Sequence, residues 1–509
     1  MRRRTILLSF LLFLAIAVAG VIVPARRTLS VSPGVWYSQP VDVSATNQAS
    51  VSNFTDGTIT LLSVTEKENG AGLQARPVDS ATLANLPGYA PINFGHHYTY
   101  AASPDRKTLA VITWPSGSDN AGGALHLIDL KTWTATPTDL HFDDYIGSLT
   151  FGADGKTLYW TMPATHDPAH GMSRDYQLYR YDLDSRQSSV VTQFPSSFMP
   201  WEQQTILLST GKVAIFGVPT DPNNLAEDAP HVLIVDLTRH SITADVQLDG
   251  MKAGQFHENV TPSAQGESGQ YVMYNPGLVW DLERNLLYVA HADEDKVTVV
   301  DLVQQAVTQQ TYIRPQHSFL EWLSALLVLT VEAKGGPEMG TRAMLSRDGK
   351  RLYVFSQDTE AGLLRATKLR VISTNGMREI NYIDDLLTDF TLTPDGKSLL
   401  VIKSETVNLY GFDMILSRDV YVLDAETLQE RVHIRANQFD DLWFGGFSPD
   451  GRYVYMKGTS ARWVDGSGWT DWRTAWQLLD LNSYHLTSVG ESVSSSTSYR
   501  YATLLPIIP

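Results

Sequence analysis

No cysteine occurs anywhere in the 509 residues. That absence excludes disulfides, thiolate metal sites, thiol nucleophiles, covalent c-type haem attachment and a lipid-modified cysteine after a leader. Positive charge is scarce as well: 39 Lys and Arg stand against 55 Asp and Glu, for a formal net charge of −16. Nucleic-acid binding needs clustered Lys and Arg, so no nucleic-acid partner is expected. No Gly-x-Ser-x-Gly nucleophile elbow is present. Long hydrophobic runs are nearly absent too. The segment 323–331 is apolar but too short to span a bilayer and reads as a buried strand.

The exception is the N-terminus. Arg2, Arg3 and Arg4 precede an uncharged, mostly apolar run over residues 6–23. Ala17-Val18-Ala19 resembles a small-residue cleavage site, which suits a cleaved signal peptide. The run is also long enough to span a bilayer, with the arginines staying cytoplasmic. Residues 1–26 are therefore expected to be a hydrophobic helix serving as a signal peptide or a membrane anchor. Either places the body outside the cytoplasm, anchored or secreted. Residues 27–52, rich in Ser, Val, Pro and Thr, read as a linker.

From residue 53 onward one unit recurs, with two signatures. The first is a turn before an apolar strand: Ser103-Pro104-Asp105-Arg106-Lys107, then Asp154-Gly155-Lys156, Thr210-Gly211-Lys212, Leu282-Glu283-Arg284-Asn285, Asp348-Gly349-Lys350, Pro394-Asp395-Gly396-Lys397 and Pro449-Asp450-Gly451-Arg452. The second is a strand ending in apolar-Asp-Leu: Ile128-Asp129-Leu130, Tyr181-Asp182-Leu183, Val235-Asp236-Leu237, Val300-Asp301-Leu302, Leu423-Asp424-Ala425 and Leu479-Asp480-Leu481. The fifth copy has Ser373 where the Asp is expected. Asp-Gly between apolar runs signals a hairpin, because Gly accepts positive φ. Each unit gives about four short strands, which is a propeller blade. The fold class expected is all-β, a seven-bladed β-propeller over residues 53–509 preceded by the N-terminal helix, with residues 57–64 completing the last blade.

The Ser-Pro-Asp-Gly-Lys-like turn followed by Val-Asp-Leu resembles the repeat of bacterial YVTN-type propellers, a group related to amine-dehydrogenase heavy chains and lactonase-like propellers. The resemblance covers roughly residues 90–490. It implies the fold and is weak for function, since propellers host many unrelated activities.

With blade strands named A to D from the centre outward, the B–C loops and D-to-A crossings share one face. The B–C segments 115–123, 163–175, 219–230, 357–366, 404–417 and 458–473 are long, and only 292–295 is tight. The A–B turns are uniformly short. Insertions in repeat proteins collect on the binding side, so this is the expected ligand face. Asp143-Asp144, Asp384-Asp385 and Asp440-Asp441 each precede a strand A. Glu338 holds the same offset, Glu202 is close to it, and His96-His97 occupy the matching place in the first blade. Asp144, Glu202, Glu338, Asp385, Asp441 and His97 are thus expected to ring the channel mouth. Converging carboxylates favour a metal ion, an amine or a basic peptide. The competing explanation is that Asp pairs start strands by accepting backbone N–H bonds. Trp463, Trp469 and Trp472 in the last B–C loop could stack on sugars or an apolar ligand, or pack on one another.

Other motifs carry little. His166 and His170 flank Asp167-Pro168, which disfavours a zinc-binding helix, and His257-Glu258 lacks a second His. Gly155-Lys156-Thr157 and Gly396-Lys397-Ser398 lack the leading Gly of a phosphate loop, and residues 70–75 lie in no βαβ unit. No catalytic residue emerges. The reading is a non-enzymatic, extracytoplasmic binding or scaffolding propeller for a protein, peptide or small-molecule ligand, tethered through its N-terminal helix. No cofactor is expected, apart from a Ca²⁺ option at the acidic mouth. The alternative is a metal-dependent, lactonase-like hydrolase at that same mouth.

Overall fold

The computed structural model describes residues 58–67, 70–84, 86–90, 92–93, 97–105, 107–114, 123–142, 146–165, 174–196, 198–208, 210–219, 229–258, 270–313, 338–360, 363–409, 412–436, 440–464, 468–494 and 502–505. The apolar N-terminal run and the linker lie outside them. Every regular element among the described residues is a β-strand. No helix among these residues is long and apolar enough to cross a membrane.

The seven repeat copies fold into seven four-stranded antiparallel units. Their A strands are His97–Ala102, Leu149–Phe151, Phe198–Leu208, Gly277–Asp281, Glu338–Leu345, Leu387–Leu392 and Asp441–Phe447. A strands of units 1 and 2, 2 and 3, 4 and 5, and 6 and 7 run side by side. Sheets stack face to face through apolar clusters. Ala110, Ile112 and Trp160 join units 1 and 2, and Leu178, Phe198 and Leu233 join units 2 and 3. Phe216, Trp280 and Leu287 join units 3 and 4, while Tyr353, Phe390 and Leu399 join units 5 and 6. Sheets following one another around an axis, each burying both faces against its neighbours, make a β-propeller.

The two sequence signatures prove to be one structural device. In the A–B turns, Ser103, Ser346 and Thr393 each donate a hydroxyl hydrogen bond of 2.7 Å to the turn Asp. The following Gly is left-handed, as at Gly155 (φ 66°), Gly396 (φ 69°) and Gly451 (φ 69°). In the C–D turns, the signature Asp accepts backbone N–H groups two and three residues on, as Asp301 does from Val303 at 2.8 Å and Gln304 at 2.7 Å. These bonds, with the Thr427 N–H first and Arg431 second, hold the Asp424 carboxyl far below the ordinary carboxylate range. The residue after each Asp then bonds back to the A–B turn: Leu130 N to Lys107 O at 2.8 Å and Leu481 N to Arg452 O at 2.9 Å. In the fifth unit, where Ser373 replaces Asp, Thr374 N still reaches Lys350 O at 2.9 Å. Both signatures therefore stabilise the rim opposite the expected ligand face.

The ends of the chain depart from expectation. His485–Ser494 fills the fourth position of unit 7. Thr58–Lys67 pairs instead with Gly70–Asp79 and with Ala502–Leu505, in a separate four-stranded sheet with Ile92–Asn93 at its edge. In this terminal sheet the innermost strand comes from the C-terminal end and the other three from the N-terminal end, so no A–B turn joins them. That is why the repeat count does not register it. Val78 and Leu83 pack on Tyr455, Trp476 and Leu478 of unit 7, and Tyr455 donates its hydroxyl to Ser80 O at 2.7 Å. On the other side Trp133 of unit 1 donates its indole N–H to Ala90 O at 3.0 Å. A two-stranded hairpin, Gly254–Glu258 with Gln270–Asn275, is inserted before unit 4 and pairs in parallel with strand A of unit 5.

Candidate functional site

The expected ligand face is built from B–C hairpins of unequal height. Ladders in units 5, 6 and 7 continue well past the core of the sheet. They run to Glu360↔Leu363, Leu409↔Phe412 and Val464↔Gly468. Segments expected as long irregular loops at 357–366, 404–417 and 458–473 are thus paired hairpin arms. Pairing satisfies backbone groups that a loop would leave to solvent. The turn of unit 4 is tight, as expected, with strands ending at Ala290 and resuming at Lys296. Residues 115–122, 166–173 and 220–228 of the other three B–C segments lie outside the described residues.

Asp385 and Asp441 are brought to the same rim of units 6 and 7. Asp385 precedes strand A of unit 6, and its carboxylate takes Lys403 Nζ at 2.7 Å. Its Oδ1 also accepts the Leu386 N–H at 3.0 Å, and its carbonyl accepts the Thr367 hydroxyl at 2.6 Å. The strand-starting role therefore operates alongside any other. Asp441 opens strand A of unit 7 and faces Ser417 across a parallel bridge. Burial is the main reason its pKa is pushed up to about 8; the Ser417 hydroxyl bond opposes the shift and neighbouring Asp440 adds to it.

Between them lies a group of hydroxyls that the sequence does not flag. Ser404 and Ser417 sit where the ladder of unit 6 slips register, between Lys403 and Glu405. Such a bulge re-aims side chains. Ser404 Oγ and Ser417 Oγ are 2.9 Å apart, and Thr388 Oγ1 bonds Ser417 Oγ at 2.6 Å and also Ser404 Oγ. Thr388, Ser404, Ser417 and Asp441 therefore form one oxygen-rich cluster joining two units. Beneath it, Asp389 takes Arg342 of unit 5 at 2.6 Å and the Phe444 N–H of unit 7 at 2.8 Å, tying three A strands together. On strand B of unit 7, burial pushes Lys457 down to about 8. Alternation places Arg342, Asp389, Lys403 and Lys457 on strands, but nothing in the sequence marks them as neighbours.

The other expected mouth residues are placed by backbone alone. His97 and Glu338 open the A strands of units 1 and 5, and Glu202 lies within that of unit 3. Asp144 lies outside the described residues. Trp463 and Trp469 are register partners on the unit 7 arm, and Trp472 pairs with Ser494. Trp476 is a core residue packed against the terminal sheet.

Comparisons with known proteins add only distant likenesses. No protein-family model matches the chain, and no curated protein matches it. Among solved structures, it is similar to the dihydro-heme d1 dehydrogenase NirN in complex with DHE, at 12% identity, covering 89% of this chain and 77% of that one, with a TM-score of 0.49. It is similar to a putative 6-phosphogluconolactonase from Bacteroides fragilis at 16% identity, covering 76% and 97% with a TM-score of 0.39. BamB from Moraxella catarrhalis gives 9% identity, 78% and 92% coverage and a TM-score of 0.40. The neighbours are β-propellers, but at these scores the fold rests on the sheets described above.

Proposed function

We propose that this chain is an extracytoplasmic binding propeller of the YVTN type, tethered or exported through residues 1–26. It would capture a cationic protein, peptide or small molecule on the face bearing the hairpin arms. Under the same reading the terminal sheet acts as one more blade, giving a ring of eight sheets rather than seven. One observation carries it: the signature-bearing rim is uniform, whereas the opposite rim raises three paired arms in succession around Asp385 and Asp441. The net charge of −16 favours a cationic partner.

The test is binding of a fluorescent Lys-rich decapeptide to the full chain across a salt series. Expected at pH 9, where the Asp441 carboxyl has lost its proton, is binding that weakens steeply with salt and falls several-fold in an Asp385→Asn/Asp441→Asn double variant that stays folded. No binding, or equal binding by the double variant, overturns the acidic-mouth reading.

The oxygen-rich cluster favours a second reading, a metal-dependent hydrolase. Three hydroxyls and the Asp441 carboxyl, once it loses its proton, supply oxygens of the kind Ca²⁺ accepts. Thr388, Ser404, Ser417 and Asp441 would hold the ion, which would polarise a carbonyl or activate water. A Ca²⁺ titration with lactone hydrolysis as a second readout separates the two readings. Ca²⁺-dependent turnover supports the enzyme; peptide binding indifferent to Ca²⁺ supports the scaffold.

A further inference from the structure

Asp385 stands on the rim where the proposed function needs an anionic group, yet its carboxylate is already spent. Oδ1 accepts the Leu386 N–H at 3.0 Å, and Oδ2 takes Lys403 Nζ at 2.7 Å. The same ammonium lies 4.4 Å from the centroid of the Tyr421 ring, well inside the reach of a cation–π contact. One of the chain's own lysines thus sits between a carboxylate and an aromatic face, the pair of groups that holds an ammonium ligand.

The aromatic face is held in place by its neighbours. Tyr421 packs against the buried cluster that joins units 5 and 6. Its ring stacks on that of His433, with centroids 4.4 Å apart and an interplanar angle of 5°. His433 Nε2 is in turn 2.7 Å from Asp419 Oδ1. The neighbouring carboxylates of unit 6 are bound more heavily than Asp385. Glu405 takes Arg418 at 2.8 Å and Arg435 at 3.2 Å, and Asp419 faces Arg435 at 4.0 Å besides His433. Among the described residues, one side chain holds the Asp385 carboxylate, and it is a lysine.

This contact is easy to exchange. The Lys403 and Asp385 side chains are 29% and 46% exposed, and an ion pair so open to water contributes little to stability. A lysine stem is flexible and can swing its ammonium out into solvent. An incoming ammonium makes the same two contacts, so the exchange leaves no group of the protein uncompensated. The geometry also discriminates between cations. A guanidinium prefers both oxygens of a carboxylate, and Asp385 Oδ1 is already committed to the backbone. One oxygen and one ring suit a compact ammonium better than a planar fork.

We propose that Asp385 and the Tyr421 ring form the subsite for a lysine-type ammonium of the ligand, and that Lys403 fills this subsite as an internal competitor until the ligand displaces it. The proposal rests on the acidic-mouth reading above. It adds to that reading a recognition residue, a preference for Lys over Arg, and a built-in brake on affinity. Tyr421 lies on Phe412–Asp424, strand C of unit 6, outside the ring of residues that the offset from the A–B turn marks.

The test measures binding of fluorescent Lys-rich and Arg-rich decapeptides to the full chain at pH 9, where the peptide lysines keep their charge. Lys403→Ala is expected to tighten binding of the Lys-rich peptide several-fold, and to tighten that of the Arg-rich peptide less. Lys368→Ala is the control: it removes the same charge from an ammonium 4.6 Å over the Tyr382 ring of unit 5 and should change binding by less than about twofold. Adding Tyr421→Leu or Asp385→Asn to Lys403→Ala should erase the gain. Urea midpoints check that each variant is folded. Equal binding by Lys403→Ala and Lys368→Ala overturns the proposal, as does a gain that survives both Tyr421→Leu and Asp385→Asn. If the wild type binds, the Asp385→Asn/Asp441→Asn variant does not, and Lys403→Ala gains nothing, the internal competitor is refuted and the acidic mouth stands. If neither the wild type nor Lys403→Ala binds, both fall together.

Discussion

Replacing Asp441 with Asn should change how stability depends on pH more than it changes stability at any one pH. The native carboxyl holds its proton up to about 8 because burial disfavours the anion, while the unfolded chain releases it near the ordinary value of 3.8. A folded pKa above the unfolded one contributes stability that is fully present below 3.8 and is lost as pH rises toward about 8. Within that window the loss is about 1.4 kcal/mol per pH unit. Asn mimics the neutral acid and has no such loss. The stability of Asp441→Asn relative to wild type should therefore rise by about 2–3 kcal/mol between pH 5 and pH 7. Urea unfolding of both proteins at pH 5, 6, 7 and 8 measures this, and taking the difference cancels groups common to both, Lys457 among them. Ser417→Ala removes the hydroxyl that steadies the anion and should extend the sloping region to higher pH. A wild type and an Asn variant whose stabilities run parallel across the range would refute the assignment of a buried, proton-holding Asp441.

Three further perturbations test the frame that holds the face in position. Tyr455→Phe removes the buried 2.7 Å bond to Ser80 O and should cost about 1–3 kcal/mol in urea unfolding, with hydrogen exchange rising first in Gly70–Asp79. Gly217→Ala places a Cβ 2.2 Å from the Phe198 ring and 2.7 Å from Met199 O, so it should destabilise by at least about 1–3 kcal/mol, read as a lowered urea midpoint. Asp389→Ala strips a buried carboxylate from the half-exposed Arg342 and from the Phe444 N–H and should cost about 1–3 kcal/mol, read by chemical denaturation.

The repeat was legible because its signatures are local. A Ser or Thr, an Asp and a left-handed Gly make an A–B turn from neighbours in sequence, and an Asp with the next two N–H groups makes a C–D turn. Both can be found by eye, and Ser373 is tolerated because Thr374 N makes the inter-turn bond through its backbone. The terminal sheet was not legible as a unit. Its innermost strand Ala502–Leu505 and its second strand Thr58–Lys67 lie at opposite ends of the chain, so no turn exists to carry a signature. The hairpin arms are hard to tell from loops in sequence, because each long B–C segment carries a Gly at or near its middle and no strict alternation marks the ladder on either side of it. Asp385 and Asp441 were found by their offset from the A–B turn. Their partners were not, since Lys403, Ser404 and Ser417 approach them across a sheet and through a register slip.

The two rims of this propeller thus differ in kind. On one, every unit repeats the same bonds between A–B and C–D turns, and repetition there reports folding: each Asp is occupied by backbone N–H groups and has little capacity left for a ligand. On the other, the B–C connections described in units 4 to 7 differ from one another. Unit 4 leaves only five residues between its strands, unit 6 slips its register at Ser404, and Trp463 and Trp469 are register partners on the unit 7 arm. An aspartate held protonated at Asp441 and two buried polar atoms without a hydrogen-bond partner, His291 Nδ1 and Asp293 Oδ1, lie on this second rim. In a repeat protein the periodic residues identify the scaffold, so a site has to be sought where the period fails. Here those failures gather on the face that the hairpin arms enclose.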